Sequence, residues 1–416
     1  MSPGASCKAY KGDKMSEGFF SLVKMEKMAP VVPRGHCPCK LLSGCHSPKM
    51  KVYGEGRENV LLVGEAPGEK EDEVGKPFVG RSGKLLKQAL AHQNQYLDKD
   101  CWRTNAVCCR PPHNRTPTPQ EIQACRPRLI KTIKELKPRA VVLLGATAIH
   151  SLLGLYWKRD IGQVGRWRGF SIPCPDLGCY LVPTFHPSFI LRDENGKGNA
   201  ELFFRQDLDL AFQSALRERP KKLEHVVERI HGWRQARSMF KEFLQYPVIR
   251  RIAFDYETTG LKPHRKGHRV VCMSVSDRNR TLAFWNTPQI RKTWQRFLKS
   301  PVPKVASNMK FEEAWSRAIF KTKVRGWAHD TMLCSHVLDN RQGITSVKFQ
   351  AFVRYGIGDY SSHIAPYLEG EKQDANSFNR IDQLEGSDEL LLYCGWDAFL
   401  EAKLAEDQIN EMQLEK

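Results

Sequence analysis

Between about residue 35 and residue 215, short apolar runs alternate with longer stretches whose apolar side chains recur every three or four positions. The runs NVLLV, AVVLLG and CYLVPTF have the length and apolarity of strands buried on both faces, whereas SGKLLKQALAHQ and TPQEIQACRPRLIKTIKEL have the period of helices with one apolar face. This alternation predicts an α/β layered domain on a largely parallel sheet, because parallel strands need a crossover and a helix supplies it. The pattern changes after ALRERPKKLEHVVERI, a charged, proline-interrupted passage. A helical WRQARSMFKEFLQ leads into three strand patterns in succession, VIRRIAFDYE, RVVCMSVSD and RTLAFW, and helices dominate the remainder. Strands without intervening helices predict a mixed sheet that opens as an antiparallel meander. The N-terminal residues keep no period, and APVVPRG breaks any helix there. The expected organisation is a flexible leader over 1–34, a first domain over 35–215, a boundary over 216–230 and a second domain over 231–416.

Composition narrows the class. A chain of 416 residues exceeds one ordinary core, and 41% hydrophobic with 27% charged residues is globular. No apolar run approaches the roughly 18 residues that span a bilayer, and no secretory leader is recognisable. The cytoplasm is therefore the expected compartment, where the 13 cysteines serve as core residues or metal ligands rather than disulfides. With 65 Lys and Arg against 46 Asp and Glu, the net charge of +19 predicts a polyanionic partner. Nucleic acid leads, since neutralising phosphates releases condensed counterions.

Against this basic background, GEAPGEKEDEVGKPFVG at 64–80 places five acidic side chains and four glycines directly after a strand. Glu65 then sits at the carboxyl edge of the sheet, where α/β proteins bind ligands; Gly64 and Gly68 permit close backbone approach, and Pro67 stiffens the turn. Glu69, Glu71, Asp72 and Glu73 are assigned to solvated or loop-stabilising roles. Phe78 is either a core plug or a ring that stacks on a flat ligand. NAVCCRPPHNRTP begins with Asn105 at another strand end, and LVPTFHPSFILR puts His186 after a third. Three strand ends delivering a carboxylate, a carboxamide and an imidazole make a pocket for a small molecule or a base.

In the second half, IAFDYETTGLKP puts Asp255 and Glu257 two apart at the end of an apolar strand, hence on one face. LLYCGWDAFLEAKL puts Tyr393 and Asp397 four apart on one face of a helix. Between them lie SNMKFEEAW, with Asn308, Phe311 and Glu312 at a strand-to-helix transition, and HDTMLCSHVLD with Asp330. Paired acids of this kind suggest a divalent metal.

The motifs of the first half, in their order and spacing, resemble the iron–sulfur uracil-DNA glycosylases of family 4 over about residues 35–215. Those of the second resemble the 3′–5′ proofreading exonuclease of bacterial family A DNA polymerases. The resemblances imply a three-layer glycosylase fold joined to an RNase H-like, DnaQ-type exonuclease fold. In the first, Glu65 would position the attacking water, with Gly64 and Ala66 beside the substrate. Phe78 would stack on flipped uracil, Asn105 would read the edge that separates uracil from cytosine, and His186 would steady charge on the departing base.

Cys109 and Cys125, sixteen apart, would be the second pair of thiolates for a [4Fe–4S] cluster. HCPCKLLSGC offers Cys37, Cys39 and Cys45 for the two places of the first pair, and zinc is the alternative occupant. Cys101, Cys108, Cys174 and Cys179 read as core or incidental. In the second half Asp255, Glu257 and Asp397 would hold two magnesium or manganese ions, Tyr393 would orient the water, Asn308 would meet the substrate, and Glu312 stands where the family has aspartate. The implied protein removes uracil from DNA and trims DNA 3′ ends; the alternative is an active glycosylase whose exonuclease-like half only grips DNA. The 19 residues after Asp397 leave no room for a polymerase, so the expected partners are uracil-containing DNA, DNA 3′ ends and a polymerase supplied in trans.

Overall fold

The computed structural model describes residues 44, 46–192, 199–245, 251–358, 360–370 and 377–414. The leader and Cys37, Cys39 and Cys45 lie outside the described residues. The first half is built on strands β1 (Val60–Gly64), β2 (Cys101–Asn105), β3 (Ala140–Leu144), β4 (Ile172–Cys174) and β5 (Cys179–Thr184), in the order β2-β1-β3-β5-β4. All neighbours run parallel except β4, which forms an antiparallel hairpin with β5. Around the sheet lie α1 (Glu69–Val74), α2 (Arg81–Ala91), α3 (Pro119–Leu136), α4 (Ala146–Tyr156), α5 (Pro187–Arg192) and α6 (Ala200–Leu216).

The strands are apolar at consecutive positions because each covers two cores. Leu61, Val63 and Val141 face Leu129 and Leu152 on one side, while Val60, Leu62 and Val142 face Leu86, Phe204 and Leu208 on the other. The result is a three-layer sandwich on a largely parallel sheet, as the alternating pattern predicts. Helix α3 starts where TPQE predicts: the Glu121 amide donates to Thr118 Oγ1 at 3.3 Å, and the Thr118 amide donates to Glu121 Oε2 at 2.8 Å.

The second half is a six-stranded mixed sheet in the order β11-β10-β7-β8-β9-β6. Its strands are β6 (Val227–Ile230), β7 (Ile252–Thr258), β8 (Val270–Ser276), β9 (Thr281–Trp285), β10 (Lys304–Ala306) and β11 (Trp327–Asp330). β7, β8 and β9 form the antiparallel meander, and β6, β10 and β11 add in parallel. Helices α7 (Trp233–Gln245), α8 (Pro288–Lys299) and α9 (Met309–Phe320) pack Phe240, Trp294 and Trp315 against Phe254 and Tyr256. On the other face the long C-terminal helix α12 (Asp388–Glu411) lays Leu390, Cys394 and Phe399 on Val271 and Cys272, completing an RNase H-like fold. α10 (Thr331–Leu338) follows β11 directly. The edge strand β6 lies inside the charged passage at 216–230: four residues reading Val-Glu-Arg-Ile give too short a run for a period to show.

The halves share a core. Helix α11 (Val347–Tyr355) follows α10 in the chain, yet Phe349, Phe352 and Val353 are buried among Trp157, Trp167 and Leu177 of the first half. Each phenylalanine so buried contributes about 1.5–3 kcal/mol. Trp157 stacks on Phe352 at 5.6 Å, and the Arg166 guanidinium lies 4.9 Å over the Phe349 ring while donating to the Gly343 carbonyl at 2.9 Å. Arg341 returns the exchange, donating to the Gly165 and Arg168 carbonyls at 2.8 and 2.7 Å. α11 ends at Gly356, with φ of 69°, where an added Cβ would come 2.3 Å from the Pro173 carbonyl on β4. The edge strand of the first sheet is thereby covered by a helix from the other half. Among the described residues no helix is long and apolar enough to cross a membrane.

Two candidate active sites

The first site is a cleft of about 1220 Å³ at the carboxyl edge of the first sheet, lined by Glu65, Phe78, Asn105, Gly145 and His186 among others. Register explains the convergence. Gly64 pairs with Asn105 and Leu144 with Thr184, so the ends of β2, β1, β3 and β5 lie side by side. The chain leaves β1 toward β2 on one side and β3 on the other, the switch point at which such sheets open a crevice.

Glycine clearances set the cleft's inner wall. A Cβ on Gly64 would stand 2.5 Å from Asn105 Oδ1 and 2.6 Å from Phe78 Cζ, so both side chains close on a strand end that must be bare. Phe78 has φ of 59°, a conformation bulky residues rarely adopt, and its carbonyl would be 1.9 Å from any Cβ on Gly83. The ring is 4% exposed and packs in the core cluster with Leu62 and Leu86 while also lining the cleft, so its place as a core plug and its place at the site coincide, and its backbone carries about 1–3 kcal/mol of strain.

Two polar groups are oriented by neighbours. Thr147 Oγ1, in the first turn of α4, donates to Glu65 Oε2 at 2.7 Å. The Ser188 amide donates to His186 Nδ1 at 3.2 Å, and Ser188 Oγ lies 2.7 Å from the same nitrogen. Burial, aided by the charge of Arg192, pushes the imidazole down to about 4. A backbone N–H can only donate, so Nδ1 accepts and the neutral ring carries its proton on Nε2.

The other acids of the loop build it. Glu71 Oε2 accepts from the Gly68 amide at 2.7 Å, and Glu69 pairs with Arg110 at 3.1 Å. Asp72 is fully buried and accepts from the His46 and Ser47 amides at 2.9 and 2.8 Å.

The second site lies between β7 and α12. Asp255 and Glu257 share a face with their β8 partners Ser274 and Cys272, and α12 sets Tyr393 and Asp397 one turn apart in the same space. Cys394 Sγ is 3.9 Å from Asp255 Oδ2, and ligand atoms of Asp255, Glu257 and Cys394 all fall within 4.8 Å of one another. Lys348 Nζ donates to Tyr393 Oη at 2.5 Å, and Tyr360 Oη donates to Asp397 Oδ1.

Glu312, in the first turn of α9, is 2% exposed and Glu401 is 3% exposed; Oε2 of each has no hydrogen-bond partner among the described residues. Burial, and next the charge of Asp397, pushes Asp255 up to about 7, with Lys348 opposing. Glu257, Glu312 and Glu401 rise for the same two kinds of reason, burial first and neighbouring acids second. Oxygen donors crowded in this way, with two carboxylate oxygens orphaned, fit a hard divalent cation. Asp330 is spent on structure: it accepts from the amides of Asn308, Met309, Met332 and Leu333, tying the starts of α9 and α10 together.

Residues 51–209 match the family model for the uracil DNA glycosylase superfamily. The type-4 uracil-DNA glycosylase of Pyrobaculum aerophilum is 39% identical over 178 residues, covering 40% of this chain and 85% of that protein. The chain belongs to the type-4 uracil-DNA glycosylase family. A second relative, the type-4 uracil-DNA glycosylase of Thermotoga maritima, is 40% identical over 148 residues, 35% of this chain and 74% of that one. Beyond the glycosylase, residues 228–407 match the model of a 3′-5′ exonuclease. The DNA polymerase of Bacillus phage SP01 is 25% identical over 393 residues, 86% of this chain but 41% of the polymerase.

In the glycosylase half, Cys109 and Cys125 are buried together, and Cys108 joins them: its Sγ lies 3.8 Å from that of Cys125. Contacts first with Cys109 and then with Cys125 lower the Cys108 thiol. The Lys49 amide points at Cys109 Sγ at 3.3 Å, laying residues 46–50 across the group. Cys108 is buried in the core, as its reading has it, and its thiol in addition lies beside this group, a contact whose only trace in the sequence is the doubled cysteine after β2. Burial raises the thiols of Cys101, Cys174 and Cys179, as fits core residues. Glu401 was legible as a third member of the Tyr393 and Asp397 spacing, whereas Thr147, Lys348 and Tyr360 reach their sites through packing that no local pattern announces.

Proposed function

We propose that the protein hydrolyses the N-glycosidic bond of uracil in DNA at the first site and terminal phosphodiesters at DNA 3′ ends at the second. The observation that carries this is the meeting of Glu65, Phe78, Asn105 and His186 at one cleft. Uracil leaving its sugar gathers anionic charge on O2, and the Nε2–H of neutral His186 is a fixed donor that gains strength as that charge develops. Glu65, one oxygen held by Thr147, orients water with the other and favours the oxocarbenium-like sugar. The carboxamide of Asn105 offers both a donor and an acceptor to the base edge, so it discriminates uracil from cytosine, whose exocyclic group reverses the pattern. Phe78 stacks on the everted ring, and the basic surface holds the phosphates.

At the second site Asp255, Glu257, Asp397 and Glu312 would hold magnesium or manganese, with Asn308 near the substrate and Tyr393 turned to the attacking water. Divalent cations there supply charge stabilisation for the attacking and leaving oxygens. Cys109 and Cys125, with two of Cys37, Cys39 and Cys45, would be the four thiolates of a [4Fe–4S] cluster, zinc being the alternative. Its role is structural, because hydrolysis moves no electrons. This reading takes the cytoplasm as the compartment and a polymerase acting in trans as the user of the trimmed end.

A uracil-containing oligonucleotide treated with the protein and then hot alkali should be cut, and Glu65→Ala should leave it whole. A 3′-labelled strand with magnesium should lose nucleotides, and Asp255→Ala should stop the loss. An uncut first product or an intact second would refute the corresponding half.

A further inference from the structure

We propose that Lys348 is a positioning residue of the exonuclease reaction, fixing the Tyr393 hydroxyl from a helix that is anchored in the glycosylase core. The proposal rests on the exonuclease reading of the second site and adds a residue to it that lies outside the acidic motifs.

The contact is specific. Lys348 Nζ is 2.5 Å from Tyr393 Oη and 4.8 Å from the centre of the same ring. An ammonium has donors and no acceptor, so Oη accepts this bond and the phenolic proton must turn elsewhere. The groups whose charges bear on Tyr393 are Asp397, Glu257, Tyr360 and Asp255, which all belong to the carboxylate space. Lys348 therefore leaves the phenol with its O–H directed into the site, the orientation a water-positioning hydroxyl needs.

The mount is rigid for a reason outside the exonuclease sheet. Helix α11 is apolar on two sides. Phe349, Phe352 and Val353 enter the glycosylase core, while Val347, Ala351 and Tyr355 pack with the cluster that contains Tyr393 and Trp396. Lys348 stands beside the second face, so the reach of its ammonium is set by the docking of two hydrophobic surfaces on opposite sides of one short helix. Functional groups on packed elements hold geometry better than those on loops.

Charge gives the proposal an opposite-signed consequence. Lys348 is a cation whose field bears on both Asp255 and Glu257. A positive charge beside cation-binding carboxylates weakens metal binding, so Lys348 helps the reaction by orientation while opposing the ions by Coulomb repulsion. A residue that merely kept the site folded would raise both or neither.

The test uses the full chain with Lys348→Met and Lys348→Arg, and three readouts: nucleotide release from a 3′-labelled single strand, Mn²⁺ binding by calorimetry without DNA, and uracil excision. Lys348→Met should lower kcat roughly 100-fold with KM within about twofold. It should bind Mn²⁺ about threefold more tightly, and excise uracil at the wild-type rate, which certifies the fold. Lys348→Arg should recover about a tenth or more of the lost turnover, since it restores a donor with a different shape. Wild-type kcat in Lys348→Met overturns the proposal, and so does a fall in both kcat and Mn²⁺ affinity. If the wild-type protein releases no nucleotides, the exonuclease reading fails by itself; Mn²⁺ affinity in Lys348→Met that is unchanged or weaker then overturns the placement of Lys348 as well.

Discussion

The two sites solve opposite electrostatic problems. The glycosylase cleft is assembled from four adjacent strand ends, and its key groups are a carboxylate held by one threonine and an imidazole kept neutral by burial. Repulsion is secondary here: the charge of Arg192 only adds to what burial does to His186. The exonuclease site gathers Asp255, Glu257, Glu312, Asp397 and Glu401 from a strand and two helices, and leaves two carboxylate oxygens without partners among the described residues. Burial and neighbouring acids push Asp255, Glu257, Glu312 and Glu401 up, a strain that bound cations would relieve. One half is organised by backbone geometry, the other by gathered acidic groups whose charge bound cations would neutralise.

Chelation should therefore split the activities most sharply. Brief EDTA treatment, with both assays run on the same sample, should cut nucleotide release by about 10³-fold or more, since the ions stabilise both reacting oxygens. Uracil excision should stay at its starting rate. Equal loss of both would show that the glycosylase cleft too depends on an exchangeable cation and would erase the contrast.

Gly64→Ala probes the other side of the comparison. Its Cβ must displace Asn105 or Phe78, and a shift of about an ångström at a reacting centre costs on the order of 100-fold. Excision kinetics should show that loss while nucleotide release is unaffected. A variant as active as wild type would mean that the amide and ring do not close on the base.

The contrast also explains what the sequence makes legible. Strand ends can be read where an apolar run stops at a polar residue, as before Glu65 and His186; Asn105 ends a strand that Arg103 and Thr104 already interrupt, so its place is less plainly written. Asp255 with Glu257, and Tyr393 with Asp397, can be read because strands and helices impose fixed spacings. The contact of Cys108 with Cys125 escapes because residues 106–110 have left the strand, so alternation no longer says which way a side chain points. β10 is three residues long and too short for a period. The pattern VKFQAFVRY does announce a helix apolar on more than one face, hence buried on both. It cannot name Trp157 and Trp167 as one partner and Tyr393 as the other, because those surfaces come from segments far away in the chain.

That shared helix makes the comparison less than absolute. Gly356→Ala places a Cβ against the Pro173 carbonyl at a φ of 69°, so the docking of α11 on β4 should weaken by about 2–3 kcal/mol in chemical denaturation. Nucleotide release should fall about tenfold, because Lys348 rides on α11 and loses its register with Tyr393. Excision should change less than twofold or so, its cleft lying at the far ends of β1, β2, β3 and β5. The reverse ranking would place the dependence in the glycosylase instead.

The smallest effect concerns pH and sharpens the claim that the first cleft works with a neutral donor. An exposed histidine titrates near 6.5, whereas burial holds His186 at about 4. Between these values the unfolded chain takes up a proton that the folded chain refuses, so stability declines as pH falls from about 6.5 and the decline is complete once pH passes the folded value. Protonation would also put a hydrogen on Nδ1, where the Ser188 amide already donates, and so would undo the orientation of the ring. The excision rate should accordingly show no inflection from His186 at 6.5, its share of the acid limb appearing near 4. In the NMR spectrum the Cε1–H resonance that disappears in His186→Gln should move with a midpoint near 4; a midpoint near 6.5 would mean that a charged imidazolium faces the leaving base under mildly acidic conditions, and the division between a neutral cleft and a charged one would fail.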